Sequence, residues 1–362
     1  MSGGVDSSVA AYLLKEQGYE VIGLFMRNWD STVNNDIEGN PTYGKDPICP
    51  QEQDYNDAKR VCDQLGIELH RIDFIKEYWD MVFKYFLDEL ALGRTPNPDV
   101  MCNKYIKFDL FIKEARRLGA DKIATGHYAR INGNRLLRGL DNNKDQTYFL
   151  AQVTPNQLKD VLFPVGELVK DDVRRIAKEQ NLETAEKKDS TGICFIGERH
   201  YKEFLHNYMK PNPGPIINID NNEVIGEHTG LMNYTIGQRR NVGISGNENR
   251  HFVCGKNLQS NTLYVTFGED SNYLISDSCI IDNINFISAT SPTFCTAKFR
   301  YRGEDHPVEL EYLDNNEILV KYMGGAKAVT PGQLCVLYLG EECLGSGIIK
   351  EVRKNDERLW YL

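Results

Sequence analysis

Two cysteines lie in polar segments where a thiol could act as a nucleophile. Cys102 follows Asp99 and precedes Lys104, and Cys194 comes after the basic residue Lys187. A nearby cation lowers the pKa of a thiol and raises its thiolate fraction, which a sulfur nucleophile requires. A cysteine can also carry a second sulfur atom as a persulfide. The pair therefore predicts sulfur chemistry, against the alternative that both are small buried hydrophobic residues.

The other cysteines give no such signal. Six lie in patterns typical of small buried side chains: Cys62, Cys254, Cys279, Cys295, Cys335 and Cys343. Cys49 lies in a loop between two prolines, and its role stays open. Because the nine cysteines form an odd set without Cys-x-x-Cys pairs, the sequence argues against a disulfide framework and a zinc cage. We expect a reducing compartment.

The stretch Ser2–Ser7 is rich in glycine and serine and directly precedes an apolar helix. Small residues let the backbone close around an anion, and the first N–H groups of the helix then face that anion. Asp6 would repel a phosphate unless a Mg²⁺ lay between them. The stretch lacks the lysine of the Walker loop. It predicts a phosphate-binding loop, and the alternative is a turn that caps an ordinary helix.

Composition places the chain among globular proteins. It has 362 residues, of which 41% are hydrophobic and 26% are charged. The net charge of −10 argues against a protein that coats nucleic acid without discrimination. No run approaches the length of a membrane span and no signal peptide precedes the loop, so we expect no membrane partner.

The elements that must position these residues alternate between strand and helix. Strands are predicted at 20–26, 67–74 and 122–126, with helices between them. This alternation predicts an α/β fold with a parallel sheet and helices on both faces. The segment 27–30 follows the first predicted strand, at the sheet edge where such folds bind ligands. Beyond residue 211, short apolar runs between Asn, Gly and Asp predict a small β-rich domain and then a β-barrel.

Eight stretches together resemble the tRNA-specific 2-thiouridylase family, which belongs to the PP-loop (N-type) ATP pyrophosphatase superfamily. They are 2–7, 97–104, 124–128, 144–146, 189–198, 234–239, 299–302 and 331–333. The resemblance implies a PP-loop, Rossmann-like catalytic domain over 1–208, a central β-rich domain over 209–272 and a tRNA-contacting C-terminal β-barrel over 273–362. In this family a buried strand precedes the loop. Because the chain begins inside the loop, we expect that first strand to be missing.

The resemblance also implies an activity. The family uses ATP and Mg²⁺ to adenylate the C2 oxygen of uridine 34, the wobble uridine of the tRNA anticodon stem-loop, and replaces that oxygen with sulfur to give 2-thiouridine. A relay protein donates the sulfur as a persulfide on the residue matching Cys194. The residue matching Cys102 releases it, with a transient disulfide between the two. Asp99 matches the family's acid/base residue.

Further site residues follow from the matched motifs. Nucleotide contacts are expected at Ser2, Gly3, Gly4, Val5, Asp6, Ser7, Met26 and Gly126, with Asp6 near the Mg²⁺. Contacts with tRNA are expected at Asn97, Pro98, Asp99, His127, Lys144, Asp145, Gln146, Arg300, Tyr301 and Gln333. On a predicted strand, Lys298, Arg300 and Arg302 would present three cations on one face. Without the resemblance, such a cluster is ordinary solvated surface, and a lone histidine such as His127 is ordinarily a packed residue.

Two alternative functions stay open at this point. A PP-loop ligase acting on a small molecule would explain the loop and the sheet, but not the two cysteines in polar segments. An inactive tRNA-binding homologue would fit the missing first strand. The expected location is the bacterial cytoplasm, with the mitochondrial matrix as the alternative.

Overall fold

The computed structural model describes residues 1–37, 50–189, 201–244 and 250–362. The helices are α1 Val5–Glu16, α2 Pro50–Leu65, α3 Ile75–Tyr78, α4 Lys84–Ala91, α5 Pro98–Met101, α6 Phe111–Arg117, α7 Thr147–Leu150, α8 Pro155–Leu158, α9 Lys170–Glu179 and α10 Tyr201–His206, with π-helical turns at Trp79–Phe83 and Cys102–Leu110 and 3₁₀ turns at Leu231–Asn233 and Asn272–Leu274. The first eight strands are β1 Ile22–Arg27, β2 Glu68–Asp73, β3 Ile123–Ala124, β4 Ala129–Asn132, β5 Arg135–Arg138, β6 Val161–Leu162, β7 Gly214–Asn218 and β8 Glu223–His228. The others are β9 His251–Asn257, β10 Thr262–Phe267, β11 Ile275–Phe286, β12 Phe294–Lys298, β13 His306–Leu313, β14 Glu317–Lys327, β15 Leu334–Leu339, β16 Glu342–Lys354 and β17 Glu357–Arg358.

The amino-terminal region has parallel strands packed with helices, which confirms the predicted α/β fold. Strands β1 and β2 pair in parallel over their whole length, and β3 pairs in parallel with β6. In the ranges that the structure describes, no hydrogen-bonded strand joins these two pairs. The amino group of Met1 donates to the carbonyl oxygen of Leu24 in β1, at 2.7 Å. The start of the chain therefore lies directly beside β1.

The carboxyl-terminal half consists of two β units, as predicted. Strands β8, β7, β10 and β9 form a four-stranded sheet. Six further strands, β11, β14, β13, β12, β15 and β16, pair in that order, and β16 pairs back with β11. This last pairing closes the barrel and leaves no free edge within that ring. No helix among the described residues combines the length and the apolar character needed to cross a membrane.

The barrel and the amino-terminal region share one core. The hairpin β4–β5 adds to the barrel sheet through pairing of β5 with β16. Tyr148 and Leu150 pack in the same buried cluster as Val336 and Tyr338. The buried amide of Gln152 donates to the hydroxyl and carbonyl oxygens of Ser346, at 3.1 and 3.2 Å. Burial of this apolar surface, together with paired polar groups, holds the two parts in a fixed relation.

One predicted strand is shorter than expected. β12 ends at Lys298, and Arg302 has a φ of 66°. The strand stops before Arg300, and Arg302 lies in a left-handed turn, so the expectation of three cations on one strand face is wrong. The guanidinium of Arg300 instead donates to the carbonyl oxygens of Ile236 and Ala328 and to the hydroxyl of Thr330. Burial lowers the pKa of Arg300, but the group stays protonated and joins the barrel to the central unit.

We predict that Arg300→Ala destabilises the protein by about 2 kcal/mol or more, because it leaves these oxygen acceptors without a donor. Arg302→Ala removes the same charge from an exposed neighbouring position and should change the free energy of unfolding by less than about 0.5 kcal/mol. Urea unfolding followed by circular dichroism measures both. Equal effects of the two substitutions would contradict the structural role of Arg300.

Candidate active site

The glycine- and serine-rich stretch forms a closed loop before α1. The backbone N–H of Ser2 donates to Ser7 Oγ at 3.1 Å, and the two serine hydroxyl oxygens lie 3.0 Å apart. Gly3 has a φ of 71°, which a glycine adopts without strain. Gly4 precedes the helix and supplies no side-chain cap to its first N–H groups. The positive end of α1 is therefore open to an anion.

Gly126 packs directly behind this loop. A Cβ atom at Gly126 would lie 2.8 Å from the backbone of both Asp6 and Ser7. A Cβ at Gly3 would lie 2.2 Å from the carbonyl oxygen of Asp54 in α2. Real Cβ atoms do not approach backbone this closely, so both positions require glycine. The loop is therefore held between the end of β3 and the start of α2.

The carboxylate of Asp6 already has two donors. Lys170 Nζ lies 2.7 Å from Asp6 Oδ1, and the Tyr128 hydroxyl donates to the same oxygen at 2.8 Å. Lys170 is the first residue of α9, and its side chain is only 12% exposed. Burial, and after it the charge of Asp6, raises the pKa of Tyr128, so this phenol stays protonated and donates. These contacts fix the orientation of the Asp6 side chain in the loop.

The carboxylate of Asp189 forms ion pairs with three cations. It lies 2.8 Å from Lys170 Nζ, 2.6 Å from Lys144 Nζ and 2.6 Å from a guanidinium nitrogen of Arg174. Burial alone would raise the pKa of Asp189, but hydrogen bonds from Lys144 and Lys170 lower it to about 2. Since Lys170 is shared with Asp6, one ammonium group connects the amino-terminal loop to residue 189.

Cys102 begins a π-helical turn after the short helix α5. Asn97 caps α5 by accepting a hydrogen bond from the N–H of Val100 at 3.4 Å, and Pro98 occupies the first turn, where its missing N–H costs nothing. Cys102 is 3% exposed. The side-chain amide of Asn28, directly after β1, donates to Cys102 Sγ at 3.9 Å. The thiol thus lies beside the segment that follows β1, which the sequence predicted at the ligand-binding edge of the sheet.

Asp99 and His127 share an electrostatic environment. Burial raises the pKa of the Asp99 carboxyl, and the cation of Lys107 lowers it by less. Burial, assisted by Lys107, holds the pKa of His127 well below its usual value, so the imidazole is neutral. His127 Nδ1 lies 2.8 Å from the Thr125 hydroxyl oxygen. The His127 ring also contacts Phe108, with centroids 5.8 Å apart, in the π-helical segment that begins at Cys102.

The barrel and the central unit hold the segment that leads to α5. The N–H of Thr95 donates to the carbonyl oxygen of Pro331 at 2.9 Å, and Gln333 Nε2 donates to the carbonyl oxygen of Thr95 at 2.7 Å. Lys256 Nζ in β9 donates to the carbonyl oxygen of Gly93 at 3.0 Å, and burial lowers the pKa of Lys256 to about 7. Three parts of the chain therefore meet just before Asn97.

Several of the predicted site residues have structural partners inside the protein. Asp145 accepts from the N–H of Gly139, and Gln146 Oε1 accepts from the N–H of Tyr128. Tyr301 packs against Phe149, with ring centroids 4.4 Å apart. Lys104, which the sequence placed near Cys102 as an activating cation, donates to Gln152 Oε1 at 2.9 Å, and burial lowers its pKa. Met26 is half-buried near the end of β1 and packs against the main core.

Cys194 and the motif around it lie outside the described residues, as does Cys49. The described residues on either side are Asp189 and Tyr201. Asp189 shares Lys170 with the amino-terminal loop, and Tyr201 packs against the cluster that contains Cys102. The predicted pairing of Cys102 with Cys194 stays a prediction.

Sequence reasoning missed two residues of the site, Lys170 and Asn28. Lys170 opens a helix far along the chain from Asp6, and no local pattern connects the two. Asn28 lies in the segment predicted at the ligand-binding edge, but nothing marked that asparagine among its neighbours. The position directly after a buried strand was the available signal.

Comparisons with known proteins cover almost the whole chain. Residues 1–198 match a family described as the tRNA methyl transferase HUP domain, residues 202–267 match its PRC-barrel domain, and residues 276–349 match an aminomethyltransferase beta-barrel domain. A protein of Mycoplasmopsis synoviae named tRNA-specific 2-thiouridylase MnmA is 53% identical over 100% of this chain and 97% of its own length. Proteins of the same name from Mycoplasma capricolum and Bacillus cytotoxicus are also 53% identical, over 98% and 100% of this chain and over 98% and 96% of their own lengths.

The charge network predicts a pH-dependent contribution of Asp189 to stability. We expect Asp189→Asn to lower the free energy of unfolding by about 2 kcal/mol at pH 7, because the substitution removes charge-assisted hydrogen bonds. The folded-state pKa of about 2 lies below the ordinary value of 3.8. The contribution is therefore complete above the ordinary pKa and is lost as the pH falls toward the folded one. Thermal melts of both proteins between pH 7 and pH 3 measure the difference, and a gap that widens on acidification would contradict the assignment.

Proposed function

Because this chain belongs to the tRNA-specific 2-thiouridylase family, we propose that it replaces the C2 oxygen of uridine 34 in tRNA with sulfur. The observation that carries this proposal is the continuity between the two halves of the site. Gly126 backs the amino-terminal loop at Asp6, and the next residue, His127, contacts Phe108 in the segment that starts at Cys102. A nucleotide on the loop and a base beside Cys102 would therefore occupy neighbouring positions.

ATP is the proposed co-substrate, cleaved to AMP and pyrophosphate. The backbone and hydroxyls of Ser2–Ser7 would bind its phosphates, since the start of α1 lacks a side-chain cap and Gly3 and Gly126 keep the loop closely packed. Met26 and Gly126 would contact the adenosine. Asp6 Oδ1 already accepts from Lys170 and Tyr128, so a Mg²⁺ would be held by the other carboxylate oxygen of Asp6 together with phosphate oxygens. When bound, that ion would neutralise part of the negative charge of the pyrophosphate.

Activation of uridine requires a proton donor or acceptor near the base. Asp99 is suited to this role because its raised pKa brings its titration closer to neutral pH. His127 stays neutral and can accept or donate one hydrogen bond without adding charge. Asn97 and Pro98 hold Asp99 in the first turn of α5. A base must leave the anticodon stack to reach such a site.

Sulfur transfer is assigned to the two cysteines. A relay protein would leave a persulfide on Cys194, whose outer sulfur attacks C2 of the adenylated uridine. The Cys102 thiolate then attacks the inner sulfur of Cys194. The bond between the two sulfurs of the persulfide breaks, a disulfide forms between the cysteines, and AMP leaves with the former C2 oxygen. An external reductant, such as a thiol, must restore both cysteines before the next cycle.

Contacts with the tRNA stem-loop are proposed at the residues predicted from the motifs. His127 lies within the site, while Lys144, Asp145 and Gln146 stand on the segment between β5 and α7. The barrel side carries Arg300, Tyr301 and Gln333. The side-chain amide of Gln333 donates a hydrogen bond to the carbonyl oxygen of Thr95, two residues before Asn97. Protein surfaces that bind an RNA stem-loop recognise it through its phosphates and through a base turned out of the stack. The proposed location is the bacterial cytoplasm.

Cys102→Ser should separate activation from sulfur transfer. With ATP, Mg²⁺, a persulfide donor and tRNA, the variant should still release pyrophosphate but form 2-thiouridine on the order of a thousandfold more slowly, because the resolving thiolate is gone. Nucleoside mass spectrometry measures the product, and filter binding should show tRNA affinity within about threefold of wild type. Cys295→Ser, a barrel cysteine in β12, is the control.

A Cys102→Ser variant that thiolates tRNA at the wild-type rate would contradict the assignment. Loss of tRNA binding together with thiolation would instead identify Cys102 as structural. A small-molecule ligase predicts no 2-thiouridine from the wild type under any of these conditions.

Gly4→Ala should test phosphate binding at the loop. Gly4 has a φ of −102°, and a Cβ there would meet only Ser2 Oγ at 3.5 Å. The variant should therefore fold with a loss of about 1 kcal/mol or less, while its affinity for ATP with Mg²⁺ falls at least about tenfold because the methyl group blocks close approach of a phosphate. Calorimetric titration measures binding. The control is Ala11→Gly in α1, which should lose a similar amount of stability and bind ATP with wild-type affinity. Unchanged ATP binding by Gly4→Ala would place the nucleotide elsewhere.

A further inference from the structure

The side chain of Asn28 is buried with one half of its amide unused. It is 5% exposed, its Nδ2 donates to Cys102 Sγ at 3.9 Å, and its Oδ1 has no hydrogen-bond partner among the described residues. A buried carbonyl oxygen without a donor has lost its hydrogen bonds to water without replacement. An unpaired group of this kind, beside a predicted nucleophile, requires an explanation.

The position of this oxygen is set by the backbone. Asn28 directly follows β1, and the N–H groups of Asn28 and Trp29 both donate to Gln51 Oε1, at 3.2 and 3.3 Å. The nitrogen and oxygen of one amide are about 2.2 Å apart. Because Nδ2 lies 3.9 Å from Cys102 Sγ, Oδ1 lies within roughly 6 Å of the same sulfur. An acceptor is therefore held near the thiol of Cys102.

We propose that Asn28 Oδ1 accepts a hydrogen bond from N3–H of the target pyrimidine and makes the site specific for uridine over cytidine. This inference rests on the proposed function. In uracil the N3–H group is bonded to C2, the carbon that exchanges oxygen for sulfur. With the base beside Cys102, as proposed above, this acceptor is within reach of N3–H. Asn28 then joins two groups with one planar amide: Nδ2 contacts the sulfur and Oδ1 contacts the base.

The same geometry excludes cytidine. Cytosine also has an oxygen on C2, but its N3 carries a lone pair and no proton. Two acceptors would face each other in a buried site, and both would lose their hydrogen bonds to water without replacement. A site built to hydrogen-bond one substrate N–H discriminates strongly against an analogue that lacks it. Rejection of cytidine therefore needs no steric barrier.

Anticodon stem-loops that carry uridine, cytidine or 3-methyluridine at position 34 test this role of Asn28. Single-turnover release of pyrophosphate with ATP and Mg²⁺ gives kcat/KM for each. The wild type should prefer uridine over both analogues by on the order of tenfold to a hundredfold. Asn28→Leu removes the amide nitrogen and oxygen at similar side-chain volume. The ratio of kcat/KM for uridine to that for cytidine should then fall to within about threefold of one. Asn28→Asp keeps an acceptor and should retain most of the ratio.

The matched control is Asn233→Ala. Asn233 is also 5% exposed and also has an unpartnered Oδ1 among the described residues, but it lies in the central unit. Its substitution should leave the ratio unchanged. Because the ratio compares two substrates on one preparation, partial unfolding of a variant does not alter it.

The outcomes separate this inference from the proposed function. A wild type that releases no pyrophosphate with the uridine stem-loop would overturn the proposed function and, with it, this role. A wild type that works but accepts 3-methyluridine as well as uridine would overturn the role of N3–H alone. So would an Asn28→Leu variant that folds and keeps the wild-type ratio. If Asn28→Leu does not fold, Asn28→Ala replaces it, and the 3-methyluridine comparison decides on the wild type itself.

Discussion

The close approach of Gly126 to the backbone of Asp6 and Ser7 is the contact on which the rest of the site depends. It leaves no room for a Cβ atom, so it fixes the loop against the end of β3. The next two residues contact the two parts of the site. His127 packs on Phe108 in the segment that begins at Cys102, and the hydroxyl of Tyr128 donates to Asp6 in the amino-terminal loop. One short segment therefore sets the distance between the proposed nucleotide loop and the Cys102 segment. Preorganisation of this kind lowers the entropic cost of bringing two reactants together.

Several charged side chains at and near the site have partners within the protein. Lys170, Lys144 and Arg174 converge on Asp189, and Arg300 binds carbonyl oxygens between the barrel and the central unit. Partly buried cations of this kind need partners, because an unpaired charge away from water is costly. A net charge of −10 therefore coexists with a proposed RNA substrate, whose recognition would depend on a few placed groups instead of a broad basic surface.

Local sequence was sufficient where chemistry depends on short-range pattern. The loop before α1 and most of the barrel strands were predictable from spacing and residue type, whereas the prolines around Asn97 suggested an extended loop where the structure has the helix α5. Arg300 was not, because alternation of cations cannot show that β12 ends at Lys298 or that Arg302 turns the backbone left-handed. Lys170 and Asn28 were missed for a related reason. Their partners, Asp6 and Cys102, are distant in sequence and meet only when helices and strands pack.

In the proposed reaction ATP activates the C2 oxygen of uridine 34, so that this oxygen leaves with AMP when sulfur arrives. The most direct measurement follows that atom. A tRNA labelled with ¹⁸O at O2 of uridine 34 is incubated with the enzyme, ATP, Mg²⁺ and a persulfide donor, and the AMP is analysed by mass spectrometry. We expect one ¹⁸O atom in AMP for each 2-thiouridine formed. Thiolated tRNA accompanied by unlabelled AMP would contradict it.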